Sequence, residues 1–251
     1  MSRILILGGT TEARELAAKL HARGHHVITS LAGRVARPRL PAGEVRIGGF
    51  GGPDALAVWL GSEAIAAVVD ATHPFAQRIS ASATRASEQA GVPLVRLERP
   101  GWTEQPEDRW HWVDDLDQAS GCVPRLGTRA LLTTGRQGLS AFAGVRQAWF
   151  LIRCVDPPAD PLPPHHEVLL DRGPYTLEGE LALIDDHHID VVVTKDSGGT
   201  HTRPKLDAAR VRRVPVIIVR RPPRRAAISV TATDEALAWV VAQSGYPSPR
   251  G

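Results

Sequence analysis

Short uninterrupted runs of apolar residues, each ending in glycine or a polar turn and followed by apolar positions three or four apart, recur along the chain. The first is Ile4-Leu5-Ile6-Leu7, which breaks into Gly8-Gly9-Thr10-Thr11-Glu12 and continues as Ala13-Arg14-Glu15-Leu16-Ala17-Ala18-Lys19-Leu20. A strand too apolar to alternate is buried on both faces, and apolar spacing of three and four marks a helix. The stretch therefore predicts strand, tight turn, helix. His25-His26-Val27-Ile28-Thr29-Ser30 predicts the second strand, ending in Leu31-Ala32-Gly33-Arg34, and residues 44–47 a third, followed by Gly48-Gly49-Phe50-Gly51-Gly52. A helix opens near Pro53-Asp54, where proline suits the first turn. Ile65-Ala66-Ala67-Val68-Val69 is another buried strand, ending in Asp70-Ala71-Thr72-His73-Pro74-Phe75. A helix over 76–90, strands at 92–97 and 110–113, and a helix opening within 114–119 complete the first half.

At Ala130 the pattern starts again. Ala130-Leu131-Leu132-Thr133-Thr134-Gly135-Arg136 matches residues 4–10 at an offset of 126, residues 189–194 match 65–70 at 124, and residues 214–219 match 92–97 at 122. Asp234-Glu235-Ala236 matches Asp117-Gln118-Ala119 at 117. Four anchors in one order with slowly drifting offsets predict two tandem α/β domains, each a doubly wound parallel sheet, over residues 1–124 and 125–251. A ligand site is expected in the cleft between them.

Composition narrows the classes. The chain has 251 residues, a formal net charge of +3 and only two cysteines, Cys122 and Cys154, which are expected to be reduced thiols. No apolar run approaches the ~18 residues that cross a bilayer, and the N-terminus lacks a secretory pattern, so a cytoplasmic protein without a membrane partner is expected. All but three of the 30 basic residues are arginine, forked donors suited to carboxylates and phosphates. No basic block is interleaved with aromatics, which argues against nucleic acid. The densest cluster, Arg220-Arg221-Pro222-Pro223-Arg224-Arg225, reads as a solvated loop at a strand end.

The candidate chemistry lies at the predicted strand ends, where ligands of open α/β sheets bind. Gly8 and Gly9 allow a sharp turn and close approach of a diphosphate, with the helix's first amides, at Thr10, Thr11 and Glu12, pointing at it. Ala13 stands at the third glycine position of the dinucleotide fingerprint and still allows close packing. An acid near the end of the second strand would hold a ribose hydroxyl; Ser30 and Arg34 stand there instead and favour a 2′-phosphate, hence NADPH. The 70–75 loop lies over the cofactor, with His73 a proton-transfer candidate or a structural histidine. In the second half the turn carries Thr134, Gly135 and Arg136, and the counterpart of 70–74 reads Lys195-Asp196-Ser197-Gly198-Gly199. Lys195 and Asp196 are candidate proton donors, and Ser197, Gly198 and Gly199 a cradle for a carboxylate. The stiff insertion at 157–164 reads as a lid or wall. Adjacent histidine pairs at 25–26, 165–166 and 187–188 diverge in direction, so no metal is expected. No Gly-x-Ser-x-Gly elbow supports a hydrolase.

These motifs together, from Leu7-Gly8-Gly9-Thr10-Thr11-Glu12-Ala13-Arg14 through Ser30-Leu31-Ala32-Gly33-Arg34, 47–52, Asp70-Ala71-Thr72-His73-Pro74-Phe75-Ala76 and 132–136 to Lys195-Asp196-Ser197-Gly198-Gly199, resemble the precorrin-6A reductase family of cobalamin biosynthesis (CobK/CbiJ) over nearly the whole chain. The resemblance implies two Rossmann-like domains with a partly methylated tetrapyrrole bound between them. It also implies NADPH-dependent reduction of precorrin-6A to precorrin-6B. On that footing Leu31, Ala71 and Thr72 join the cofactor residues, neither metal nor flavin is needed, and the chain is expected to act as a monomer on a small-molecule tetrapyrrole. The alternative is a non-catalytic NADP(H) sensor.

Overall fold

A computed structural model describes residues 2–33 and 40–244. In chain order the first series of elements is strand β1 (Arg3–Leu7), helix α1 (Thr11–Ala22), strands β2 (His26–Leu31) and β3 (Glu44–Ile47), helix α2 (Pro53–Ser62), strand β4 (Ile65–Asp70), helix α3 (Gln77–Ala90) and strand β5 (Leu94–Leu97). The second is strand β6 (Trp110–Val113), helix α4 (Leu116–Leu126), strands β7 (Arg129–Leu132), β8 (Trp149–Cys154) and β9 (His166–Leu170), helix α5 (Leu177–Asp186), strand β10 (Val191–Lys195), helix α6 (Pro204–Val211), strands β11 (Val216–Val219) and β12 (Ile228–Val230), and helix α7 (Thr233–Ser244). Where the repeat places a counterpart of α1 there is only a 3-10 turn, Leu139–Phe142. Glycines at positive φ, Gly135 at 78° and Gly138 at 80°, interrupt the chain before it.

Both sheets have six parallel strands, ordered β3-β2-β1-β4-β5-β12 and β9-β8-β7-β10-β11-β6. This is the doubly wound order expected from the sequence, with the reversal between β1 and β4 in one sheet and between β7 and β10 in the other. The inner strands are buried on both faces: Ile4, Leu5 and Ile6 of β1 and Val191, Val192 and Val193 of β10 are fully covered.

The division of the chain differs from the expected cut at 124/125. One unit comprises the residues up to Pro100 together with those from Pro223 onward, and the other runs from Gly101 to Pro222. The expected boundary falls within α4, a helix that continues through Gly121 and Pro124. The physical reason is a reciprocal exchange of strands. β6 pairs with β11, Trp110 beside Val216 and Val113 beside Val219, while β12 pairs with β5, Ile228 beside Val95. The following helices go with them: Ala236, Leu237 and Val240 of α7 pack with Leu16 and Leu20 of α1 in the first unit's core. Each repeat thus lends its last strand and helix to the other.

Candidate functional site

In the first unit Gly8 continues the β1–β2 pairing, donating its N–H to Ser30 O at 2.9 Å, and a Cβ there would meet Thr29 Cγ2 at 2.7 Å. Gly9 has φ +114°, and nothing lies within 4 Å of where a Cβ would be. Open space at a positive-φ glycine, beside the first turn of a twelve-residue helix, is the shape a diphosphate fills. Thr10 ties this turn across the strand-order reversal: its hydroxyl accepts from Ala13 N at 3.1 Å and donates to Ala71 O at 2.8 Å. The Thr11 hydroxyl accepts from Arg14, and the Glu12 carboxylate pairs with Arg99 at 2.8 Å. That pairing offsets an acid that would otherwise repel a phosphate.

The neighbouring loop is built on Asp70, fully buried at the end of β4. Its Oδ1 accepts from Thr72 Oγ1 at 2.7 Å and Thr72 N at 3.3 Å, while Oδ2 accepts from the Ser80 hydroxyl and from Arg96 Nε at 3.4 Å. Ala71 and Thr72 are buried by this network. His73 is half-buried, and its Nδ1 accepts from Phe75 N at 3.3 Å.

At the end of β2, Ser30 and Leu31 are buried, and Arg34 lies outside the described residues. The structure adds a residue that sequence reasoning missed. Arg46 of β3 stands beside Ser30 in register, with Nη1 3.5 Å from the Ser30 hydroxyl. Its guanidinium is oriented by Gly48 O and Gly49 O, each at 2.7 Å, and lies 3.7 Å from the Phe50 ring centroid. The short 44–47 run does not by itself name its neighbouring strand or the residue opposite Ser30, and the sheet supplies both.

In the second unit Lys195 ends β10 half-buried, its Nζ donating to Thr134 O at 2.9 Å, and burial lowers its pKa from the usual 10.5. The Thr134 hydroxyl is buried and has no hydrogen-bond partner among the described residues. A buried orphan hydroxyl costs about 1–3 kcal/mol, so it is a natural contact for a bound polar group. Gly135 and Arg136 follow at the tip of the same turn, both half-buried. A little further on, Gly138 N donates to Asp160 Oδ2 at 2.8 Å, so the proline-stiffened insertion brings a carboxylate onto this turn.

Two residues of this loop that were expected to take part in the chemistry have partners within the protein. Asp196, expected to share proton transfer, is 7% exposed, accepts from Trp102 N at 3.1 Å and pairs with Arg221 at 3.1 Å. A carboxylate held by a guanidinium and an amide orders its loop. The Ser197 hydroxyl, expected to hold a substrate carboxylate, donates to Lys195 O at 3.2 Å. Gly198 and Gly199 take positive φ, 63° and 74°, and Gly199 O accepts from Trp102 Nε1 at 2.9 Å. Trp102 and Arg46 are partners the sequence did not single out, and Arg221, read there as part of a solvated loop, pairs with Asp196.

Among the described residues no cluster of three or more histidine, cysteine or acidic side chains could hold a metal ion, and no helix is long and apolar enough to cross a membrane.

The family model for precorrin-6x reductase CbiJ/CobK matches residues 3–241. A precorrin-6A reductase of Rhodococcus erythropolis is 52% identical, the alignment covering 96% of this chain and 98% of that protein. One from Mycobacterium tuberculosis is 46% identical, covering 99% of this chain and 100% of its own. Among solved structures, CobK precorrin-6A reductase matches with a TM-score of 0.92 at 40% identity over the full length of both chains.

Proposed function

The chain belongs to the precorrin-6x reductase CbiJ/CobK family, and from that premise we propose that it reduces one double bond of precorrin-6A to give precorrin-6B in cobalamin biosynthesis, with NADPH as reductant. The observation that carries the reading is the asymmetry of the duplicated fold. Among the described residues the open Gly9 turn of the first unit leads into a helix N-terminus, whereas the open Gly135 turn of the second leads into a 3-10 turn and lies beside a half-buried lysine and an orphan hydroxyl.

Gly8, Gly9 and the first amides of α1 hold the diphosphate, and Thr10 fixes their position against Ala71. Ser30, Arg34 and Arg46 take the 2′-phosphate. The 70–75 loop, with Thr72 and His73, borders the nicotinamide. A bound nicotinamide dinucleotide supplies a hydride, and the product requires one proton in addition. Lys195 gives that proton, its ammonium made more acidic by burial and aimed by Thr134 O. Thr134, Gly135, Arg136 and the backbone of Ser197, Gly198 and Gly199 contact the tetrapyrrole, whose carboxylates suit the arginine-rich surface.

The direct test is the visible spectrum of precorrin-6A mixed with the protein and NADPH. A shift to the spectrum of precorrin-6B with stoichiometric NADPH oxidation is expected. Tight NADPH binding without any spectral change would overturn the reading and leave the sensor.

Cofactor choice gives a second expected result. Arg34→Ala and Arg46→Ala should each weaken NADPH by about 1.5–3 kcal/mol, the worth of a charge-assisted hydrogen bond, and leave NADH nearly unaffected. Calorimetric titration of both cofactors into both variants checks this, and equal losses for NADPH and NADH would refute the 2′-phosphate assignment.

A further inference from the structure

The segment Arg220-Arg221-Pro222-Pro223-Arg224-Arg225, which reads as a solvated loop, is anchored on both sides of its prolines. In the second unit Arg221 Nε lies 3.1 Å from Asp196 O and 3.1 Å from Asp196 Oδ2. Arg220 N donates to Val113 O at 2.8 Å, continuing the β11 pairing. In the first unit Arg224 Nη2 donates to His73 O at 2.6 Å, Nη1 stands 3.7 Å from Glu98 Oε2, and the side chain is 8% exposed. Arg225 O accepts from the buried Arg96 at 3.2 Å, and Pro223 O from Gln77 at 3.5 Å. The two prolines fix φ and lack N–H groups, so the backbone between the arginines has few alternatives.

Both guanidinium groups grip the same kind of atom. Arg221 holds the carbonyl of Asp196, one peptide beyond Lys195; Arg224 holds the carbonyl of His73 in the loop assigned to the cofactor. Resting on the functional reading above, we propose that Arg221 and Arg224 are positioning residues for the reaction. Arg221 sets the direction of the Lys195 side chain by fixing Asp196, the next residue, through its carbonyl in the 196–197 peptide and through its carboxylate. Arg224 sets the 70–75 loop against the cofactor. A misplacement of about 1 Å at a reacting group can cost on the order of 10²-fold in rate, so a carbonyl clamp next to each loop matters more for chemistry than a surface ion pair of the same length.

The two roles separate in measurement. Arg221→Gln should lower the single-turnover reduction rate by about 10–100-fold at saturating NADPH while the NADPH dissociation constant stays within about twofold. Arg224→Gln should raise the NADPH dissociation constant by about tenfold, with the smaller part of its loss in rate. Arg221→Lys and Arg224→Lys keep the charge without the fork, fold where a glutamine variant does not, and should recover part of each loss. The wild-type protein on precorrin-6A decides the functional reading separately from the variants. Losses that appear in both parameters alike for both arginines, in step with the melting temperature and equally in the lysine variants, would mean a purely structural role and overturn the proposal. So would unchanged rate and affinity in folded variants.

Discussion

Lys195→Ala should lower single-turnover reduction of precorrin-6A by about 10²–10⁴-fold, the usual contribution of a positioned acid, and leave NADPH affinity within about twofold. The geometry supports a donor at this position: the chain's end of β10 points the ammonium at Thr134 O, 2.9 Å away, and burial lowers its pKa from 10.5. Burial disfavours the charged form, so the ammonium is a stronger acid than a free lysine and a better donor near neutrality. The sign for the rate follows. Reduction should fall as pH rises through the lowered pKa, because the protonated donor is lost, and the descending limb should lie below 10.5 and vanish in Lys195→Ala. The sign for stability is opposite. A folded-state pKa below the unfolded value makes Lys195 destabilising while protonated, and this penalty is relieved as pH climbs from the folded pKa to 10.5. Single-turnover rates and cofactor titrations on one preparation check the assignment. A variant that loses NADPH affinity but reduces normally once saturated would place Lys195 in the cofactor site and refute the division of roles between the units.

The strands and turns that carry these groups were legible in the sequence because apolar runs buried on both faces look alike wherever they occur, and Ile4–Leu7 and Val191–Val193 both do. The Gly8-Gly9 turn was legible because only glycine tolerates φ +114° with room left for a ligand. The repeat was legible as well, including the correspondence of Asp117 with Asp234. Strand partners were not. Periodicity reports that 110–113 is a strand, but β6 carries no mark of whether it pairs with β5 or β11, and a contiguous cut assumes each repeat keeps its own last strand. The same limit hid Arg46, which reaches Ser30 only through the β2–β3 register, and Arg221 and Arg224, whose partners lie 25 and 151 residues away. Charge clusters therefore read as solvated until their carbonyl partners are known. Asp196 shows the same limit: beside Lys195 in sequence it reads as half of a titratable pair, and only the fold shows its carboxylate against Arg221 and the Trp102 amide.

Asp70→Ala should destabilise the first unit by about 3–5 kcal/mol, the cost of removing one partner of a buried ion pair and leaving the other uncompensated. Asp70 is wholly inaccessible and Arg96 is 5% exposed, so the guanidinium that loses its carboxylate is not at the surface, where bulk water would solvate it. The loss falls on more than one contact, because the same carboxylate accepts from the Thr72 hydroxyl and amide and from the Ser80 hydroxyl. Against a typical domain stability of about 5–15 kcal/mol this is a large fraction. The pair itself need not be stabilising relative to apolar packing: a well-packed hydrophobic replacement of both partners is often neutral or better. Asp70→Ala combined with Arg96→Met should therefore be less destabilised than Asp70→Ala alone, a non-additivity that a double-mutant cycle measures. Urea unfolding read by amide exchange at β4 and β5 isolates this unit, and a loss below about 1 kcal/mol in Asp70→Ala would show that the network is dispensable. Function should follow the other ordering. Thr72 and His73 stand on the turn that Asp70 builds, so both the single and the double variant should bind NADPH more weakly even where the double variant is as stable as the wild type.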